Sequence, residues 1–171
     1  MNIYKSPTVL IDERMGIAAT LVKKLPQKNV YDLGCGPGHM GMQLWKSDKV
    51  YFPHDSYMAF PGVTVVDFNV DFPKIVTPRE DTMCVCLGIF EYIFDVPAFI
   101  NNIVMACSSI VFSYLDVVAI LAATGGKLPQ GIAPLFNTES FLGMFNKHYS
   151  TVCKEALIGA AYTLQNVYYA Y

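Results

Sequence analysis

Hydrophobic positions along the 171-residue chain fall into two spacings that take turns. After Ser6-Pro7, the positions Ile11, Met15, Ala18, Val22 and Leu25 recur at helical intervals until Pro26 stops them. Short apolar runs follow at Asn29 to Leu33 (NVYDL), Val50 to Pro53, Val63 to Asp67 (VTVVD), Thr82 to Leu87 (TMCVCL) and Ser109 to Tyr114 (SIVFSY). Each has the length of a strand, and several are apolar at nearly every position, as a strand covered on both faces must be. A helix is expected from His39 to Lys46. Another follows Asp95 and Pro97, with Phe99, Ile100, Ile103 and Val104 on its inner face.

Strands and helices that alternate in this way predict an α/β domain built on a parallel sheet. The end of the chain departs from the rhythm. Thr138 is placed to cap a helix carrying Phe141, Leu142 and Phe145, after which Thr151 to Ile158 and Tyr162 to Tyr171 face each other across Gly159-Ala160-Ala161. Strands joined by so short a link must be antiparallel. The expected fold is therefore a Rossmann-like, doubly wound sheet of about seven strands, mostly parallel, with a C-terminal antiparallel hairpin. No repeat or Gly/Ser linker divides the chain, so residues 1–171 are expected to form one domain. Two segments stand outside the alternation. Residues 1–28 form a helical cap. In residues 115–137 an apolar run, Val117 to Ala123, ends at Gly125-Gly126 and precedes Pro129, Gly131 and Pro134. That punctuation suits a lid, or equally a surface helix packed for good.

Composition sharpens this picture: 53% of the residues are hydrophobic and only 15% charged, against roughly a quarter charged in ordinary domains. The chain is not built to be disordered. Its longest apolar stretch, Ile110 to Ala123, is interrupted by Ser113, Tyr114 and Asp116 and falls short of the roughly 20 residues that cross a bilayer. Twelve basic and 14 acidic residues give a net charge of -2 without runs of either sign, which disfavours nucleic acid as a partner. Cysteines at positions 35, 84, 86, 107 and 153 form no C-x-x-C pair and no zinc-ligand spacing, so no metal is expected. They fit a reducing compartment, and with no apolar run behind Met1 to Pro7 a cytoplasmic location is expected.

The stretch Val30-Tyr31-Asp32-Leu33-Gly34-Cys35-Gly36-Pro37-Gly38-His39-Met40-Gly41 carries the chemistry. It fits two registers. From Gly36 it is G-x-G-x-x-G, with Asp55 about 20 residues on, as in a dinucleotide fold. From Asp32 it is D-x-G-x-G-x-G, with the same Asp55 closing the second strand. Either way, a bare backbone meets a nucleotide, and a carboxylate stands ready for a ribose diol. The charge of the ligand separates them. A pyrophosphate gains from the helix dipole and is opposed by a carboxylate just upstream of the loop. A ligand with an ammonium and a sulfonium is favoured by Asp32. The chain also lacks the second nucleotide-binding half expected of a hydride-transfer enzyme, so a methyl donor is favoured over NAD.

DLGCGPG at 32–38 resembles the first motif of the class I S-adenosylmethionine-dependent methyltransferases, among them the small type 11/12-like members. The resemblance covers about residues 29–114. It implies that Asp32, Gly34, Cys35, Gly36 and Gly38 hold the cofactor, S-adenosyl-L-methionine, and that Asp55, with Ser56, binds its ribose, although PHDSY around Asp55 departs from the commoner pattern and shortens the next helix. VDFNVDFP at 66–73 is similar to the segment whose acid, here Asp67, approaches the adenine amino group, with Phe68 against the ring. CLGIFEYIFDVPAFI at 86–100 resembles the fourth-strand motif, in which Leu87 and Gly88 line the cofactor. No N/D-P-P-Y sequence stands at LGIFEYI, which speaks against amino-methylation of DNA bases.

Each residue also has a plainer role open to it. Asp55 is placed to cap a helix, Asp67 to make a turn with Asn69, and Glu91 and Tyr92 to open a surface turn. His39, His54, His148, Glu91 and Tyr92 are candidate bases, none supported by a motif. The acceptor is undefined: a protein, a glycan or a small molecule all suit a thinly capped site. A catalytically inactive binding or assembly module stays open beside the enzyme. Tyr162, Tyr168, Tyr169 and Tyr171 crowd the tail and are expected to mark a partner-facing surface, such as that of a homodimer.

Overall fold

The computed structural model describes residues 7–115, 118, 121, 122, 125–127, 136–158 and 165–171. Helix α1 spans Pro7–Lys24, β1 Asn29–Leu33, α2 His39–Leu44, β2 Val50–Asp55 and β3 Thr64–Val65. Strand β4 follows at Thr82–Leu87, then α3 at Val96–Ala106, β5 at Ser109–Leu115, α4 at Thr138–Asn146, β6 at Val152–Ile158 and β7 at Gln165–Ala170. The seven strands form one sheet in the order β3-β2-β1-β4-β5-β7-β6. The first five are parallel, while β7 is antiparallel to both β5 and β6. The expected class and hairpin are therefore found, with β7 inserted between β5 and β6.

Both faces of the sheet are covered, and the alternation along each strand assigns side chains to one core or the other. Tyr31, Leu33, Cys84, Cys86, Ile110 and Phe112 face α3 and α4, whereas Val30, Met83, Val85, Leu87 and Val111 face α1 and α2. All six residues of β4 are buried. An aromatic cluster fills the first core: Phe112 stacks on Phe145 at 4.5 Å and on Tyr168 at 5.2 Å, and Phe90 meets Phe141 edge-on at 5.0 Å. Cys35, Cys84, Cys86 and Cys107 are buried free thiols.

Several boundaries differ from the sequence pattern for identifiable reasons. Strand β2 continues past Pro53 to Asp55 because Pro53 still pairs across to Asp32. Strand β3 is only two residues long, not five, since it lies at the sheet edge and pairs with β2 alone. Helix α2 stops at Leu44 rather than Lys46, and Lys46 takes a positive φ of 69°. Asn137, not Thr138, caps α4 by accepting a hydrogen bond from the Ser140 amide at 2.8 Å. Tyr168 is a core residue, 2% exposed, which removes it from the expected tyrosine surface. Tyr162, Ser6 and most of the expected lid at 115–137 lie outside the described residues. The Tyr114 hydroxyl donates to the Phe136 carbonyl at 2.6 Å and accepts from the Phe136 amide at 2.8 Å.

Candidate cofactor cleft

In a sheet ordered 3-2-1-4-5, chain direction across the sheet reverses between β1 and β4. Crossovers there leave to opposite faces and open a crevice at the carboxyl ends of the strands. The structure has a cleft of about 400 Å³ at this place, lined by Gly34, Asp55, Ser56, Tyr57, Asp67, Phe68, Asn69, Gly88, Ile89, Tyr92 and Ile93. Gly34 follows β1, Asp55 ends β2, Asp67 follows β3 and Gly88 follows β4. Gly34 (φ 79°) and Gly88 (φ 71°) adopt the left-handed conformation that lets the chain turn sharply off a buried strand.

Asp55 organises this end of the sheet. One carboxylate oxygen accepts from the Gly36 amide at 2.8 Å and the other from the Ser56 amide at 2.7 Å. The Ser56 hydroxyl adds a longer contact at 3.3 Å. A carboxylate has about four lone-pair sites, so the buried Asp55 keeps acceptor capacity for a hydroxyl pair. Asp67 accepts from the Asn69 amide at 3.0 Å, which is the turn role, and it also lines the cleft. Asn69 in turn donates to the Tyr92 carbonyl at 3.0 Å and accepts from the Phe94 amide at 2.8 Å, fixing the two loops to each other. Phe68 lines the cleft, held edge-on to Phe99 at 5.8 Å.

The cleft thus unites Gly34, Asp55, Ser56, Asp67, Phe68 and Gly88 from the expected set. It does not include Asp32, Cys35, Gly36, Gly38 or Leu87 among its lining. Leu87 is a core side chain, and Cys35 turns its thiol inward, where burial first and then Asp32 and Asp55 push it up to about 12. Gly38 (φ 81°) lies under Phe60 in a separate groove beside α2, lined also by Met42, Trp45 and Tyr51. Asp32 is buried beneath the loop and accepts from the Tyr51 hydroxyl at 2.6 Å. Burial is the main cause that lifts its carboxyl to about 7; Asp55 adds to the rise, while the Tyr51 hydrogen bond and Arg14 oppose it.

Of the five candidate bases, Tyr92 lines the cleft. His54 is buried, paired with the Phe52 carbonyl at 3.0 Å and stacked near Tyr31, and its pKa is lowered by burial. Glu91 is buried with no hydrogen-bond partner on either oxygen, and burial raises its pKa. His39 and His148 are not among the lining residues. The sequence pattern missed Tyr57, Asn69, Ile89 and Ile93 of the lining; outside that lining, Arg14 of α1 packs against Gly88. An ideal Cβ on Gly88 would lie 2.8 Å from the Arg14 guanidinium. Nothing local to Arg14 signals this, because the contact depends on how α1 docks onto the sheet.

No family model matches the chain, and no curated protein matches it in sequence. Solved structures do match its fold. Magnesium protoporphyrin IX methyltransferase from Synechocystis PCC 6803, with bound S-adenosylhomocysteine, superposes with a TM-score of 0.66 at 12% identity, over 99% of this chain and 89% of that one. The small RNA methyltransferase HEN1 gives 0.70 at 11% identity, over 99% of this chain and 26% of that one. The methyltransferase domain of a bacterial Hen1 gives 0.65 at 13%, over 94% and 98%. The chain has the fold of the class I S-adenosylmethionine-dependent methyltransferases.

Proposed function

We propose that the chain is an S-adenosylmethionine-dependent methyltransferase whose cofactor occupies the cleft between Gly34, Asp55, Phe68 and Gly88. The observation that carries this reading is the use of the glycine-loop amides. Gly34 and Cys35 both donate to the His54 carbonyl, Gly36 donates to Asp55, and Gly38 donates to the Cys35 carbonyl. Pro37 has no N–H. The amides of 34–38 are therefore spent within the protein, and with carboxylates at Asp32 and Asp55 the loop suits a cationic ligand better than a pyrophosphate. This disfavours the NAD reading.

When bound, S-adenosylmethionine would supply a methyl group on a sulfonium, already a good leaving group. The chain's own residues have the remaining tasks. Asp55 would accept from the ribose hydroxyls, Phe68 and Ile89 would wall the adenine and exclude water, and Asp67 would accept from an exocyclic amine. Asp32 would supply negative charge near the ammonium. Tyr92, an exposed residue of the cleft lining, would be available to the acceptor. We assign no general base and no acceptor class.

A methyltransferase-like module without chemistry remains the second reading, favoured by a lining in which, among the described residues, Asp55 and Asp67 are the acids and no histidine stands. Radiolabelled methyl transfer from S-adenosylmethionine into a lysate of the source organism separates the two. A labelled product that depends on Asp55 supports the enzyme; cofactor binding without any product supports the module.

A further inference from the structure

The amino ends of β1 and β2 carry a charge that the cleft at the other end of the sheet does not use. Lys23 and Lys24 close α1, Lys28 precedes β1, and Lys46 and Lys49 lie between α2 and β2. These are five of the chain's 12 basic residues, gathered in one corner of a molecule whose net charge is -2. The fold joins them. The Lys49 ammonium donates to the Leu25 and Gln27 carbonyls at 2.6 and 2.8 Å, and the Val50 amide donates to the Lys28 carbonyl at 2.8 Å, so the entry to β2 is tied to the end of α1. Within residues 23–50 the acids are Asp32 and Asp48, and Asp32 is buried. Glu80 and Asp81 stand to the other side, before β4.

Apolar side chains project from the same corner. The groove beside α2, about 460 Å³ in volume, brings Met42, Trp45, Lys46 and Lys49 together. Trp45 and Met42 are 77% and 63% exposed, and Val50, next to Lys49, is half exposed. Lys46 takes the left-handed position after the helix, with φ 69°, where a glycine would cost less and would carry no charge.

We propose that this corner docks on an anionic bilayer surface, with the lysines against the lipid headgroups and Trp45 and Met42 entering the headgroup layer. Lysines near an anionic leaflet are attracted to it, and apolar side chains that enter the interface add the second signal that peripheral binding needs. Tryptophan favours that boundary. A small ligand would need walls that enclose it, whereas Trp45 stands open to solvent. Nucleic acid would engage the lysines but give Met42 and Val50 nothing apolar to meet. The cofactor cleft lies at the opposite ends of the strands, so docking leaves it accessible.

The full chain is tested against vesicles of phosphatidylcholine alone and of phosphatidylcholine with about a quarter phosphatidylserine. Binding is read by sedimentation and by tryptophan emission, which reports this corner because Trp45 is the chain's one tryptophan. The anionic vesicles should bind at least about tenfold more tightly, with emission shifted to the blue, and raising salt from about 50 to about 500 mM should remove that preference. Lys28→Glu combined with Lys46→Glu should weaken binding to them by about tenfold or more, while Lys147→Glu, at the C-cap of α4 on the other face of the sheet, should change it by less than about threefold. Equal binding to the two vesicles overturns the proposal, as do binding to neither, an emission unmoved on binding, or a loss in Lys147→Glu as large as in the double variant. A single-stranded oligonucleotide or polyglutamate bound as tightly as the anionic vesicles also overturns it. The wild-type comparison of the two vesicles stands even where the double variant fails to fold.

Discussion

The Asp55 carboxylate gathers the Gly36 and Ser56 amides at 2.8 and 2.7 Å, so the residue proposed to hold the ribose also ties the glycine loop to the end of β2. Asp55→Ala leaves those amides without an acceptor and should cost about 1–3 kcal/mol in urea unfolding, besides weakening S-adenosylhomocysteine binding by about tenfold. Asp32 behaves in the opposite way with respect to stability. Its carboxyl, lifted to about 7 chiefly by burial, is protonated more readily in the folded chain than in the unfolded one. Its contribution to stability is therefore complete below about pH 4 and is lost as pH rises to about 7. Ligand binding needs the ionised form, so affinity for S-adenosylhomocysteine should fall as pH drops through 7 in calorimetric titrations. Asp32→Asn should remove that pH dependence, weaken binding at pH 8 and leave the free protein no less stable there.

At the scale of elements, the strand ends decide where the site lies. Gly88 turns off β4 with φ 71°, and a side chain there would press on the Arg14 guanidinium. Gly88→Ala should destabilise the fold by about 1–3 kcal/mol in urea unfolding. Phe141 of α4 lies fully buried against Tyr114 and Phe112, so Phe141→Ala should cost about 3–5 kcal/mol by the same measurement. Most of these elements were legible in the sequence. TMCVCL and SIVFSY read as strands covered on both faces because the sheet is covered on both faces, and Asp95 caps α3 through the Ala98 amide at 3.0 Å as its position suggests. Strand β3 was not legible in length, since its apolar run VTVVD continues past the two residues that find a partner. The sequence pattern points to Thr138 rather than Asn137 because two residue types that both cap helices stand side by side, and the structure uses the stronger one. Within the site, residues at strand ends were readable from the motif register. The turn of Asn69 with Asp67 was readable, but its bonds to Tyr92 and Phe94 and the packing of Arg14 on Gly88 were not, because these are tertiary contacts that no local spacing encodes.

For the whole molecule, the scarcity of charge follows largely from a seven-stranded sheet with a core on each face. Among the described residues no helix is long and apolar enough to cross a membrane. Some apolar surface is left over: Trp45 is 77% and Phe94 79% exposed, and Tyr171 in the tail stacks on Tyr169 at 5.8 Å while remaining half exposed. The proposal that the tail faces a second copy now rests on Tyr169 and Tyr171 without Tyr168. Light scattering at high concentration should then give a mass above the 19.0 kDa of one chain; a constant single-chain mass argues against self-association. The fold, the spent loop amides and the carboxylates at Asp32 and Asp55 converge on one claim, that the cleft holds S-adenosylmethionine. Isothermal calorimetry of the full chain with S-adenosylmethionine and S-adenosylhomocysteine tests it most directly. Saturable one-to-one binding that is weakened by Asp55→Ala is the predicted result, and no heat of binding with either ligand up to roughly millimolar concentration would contradict it.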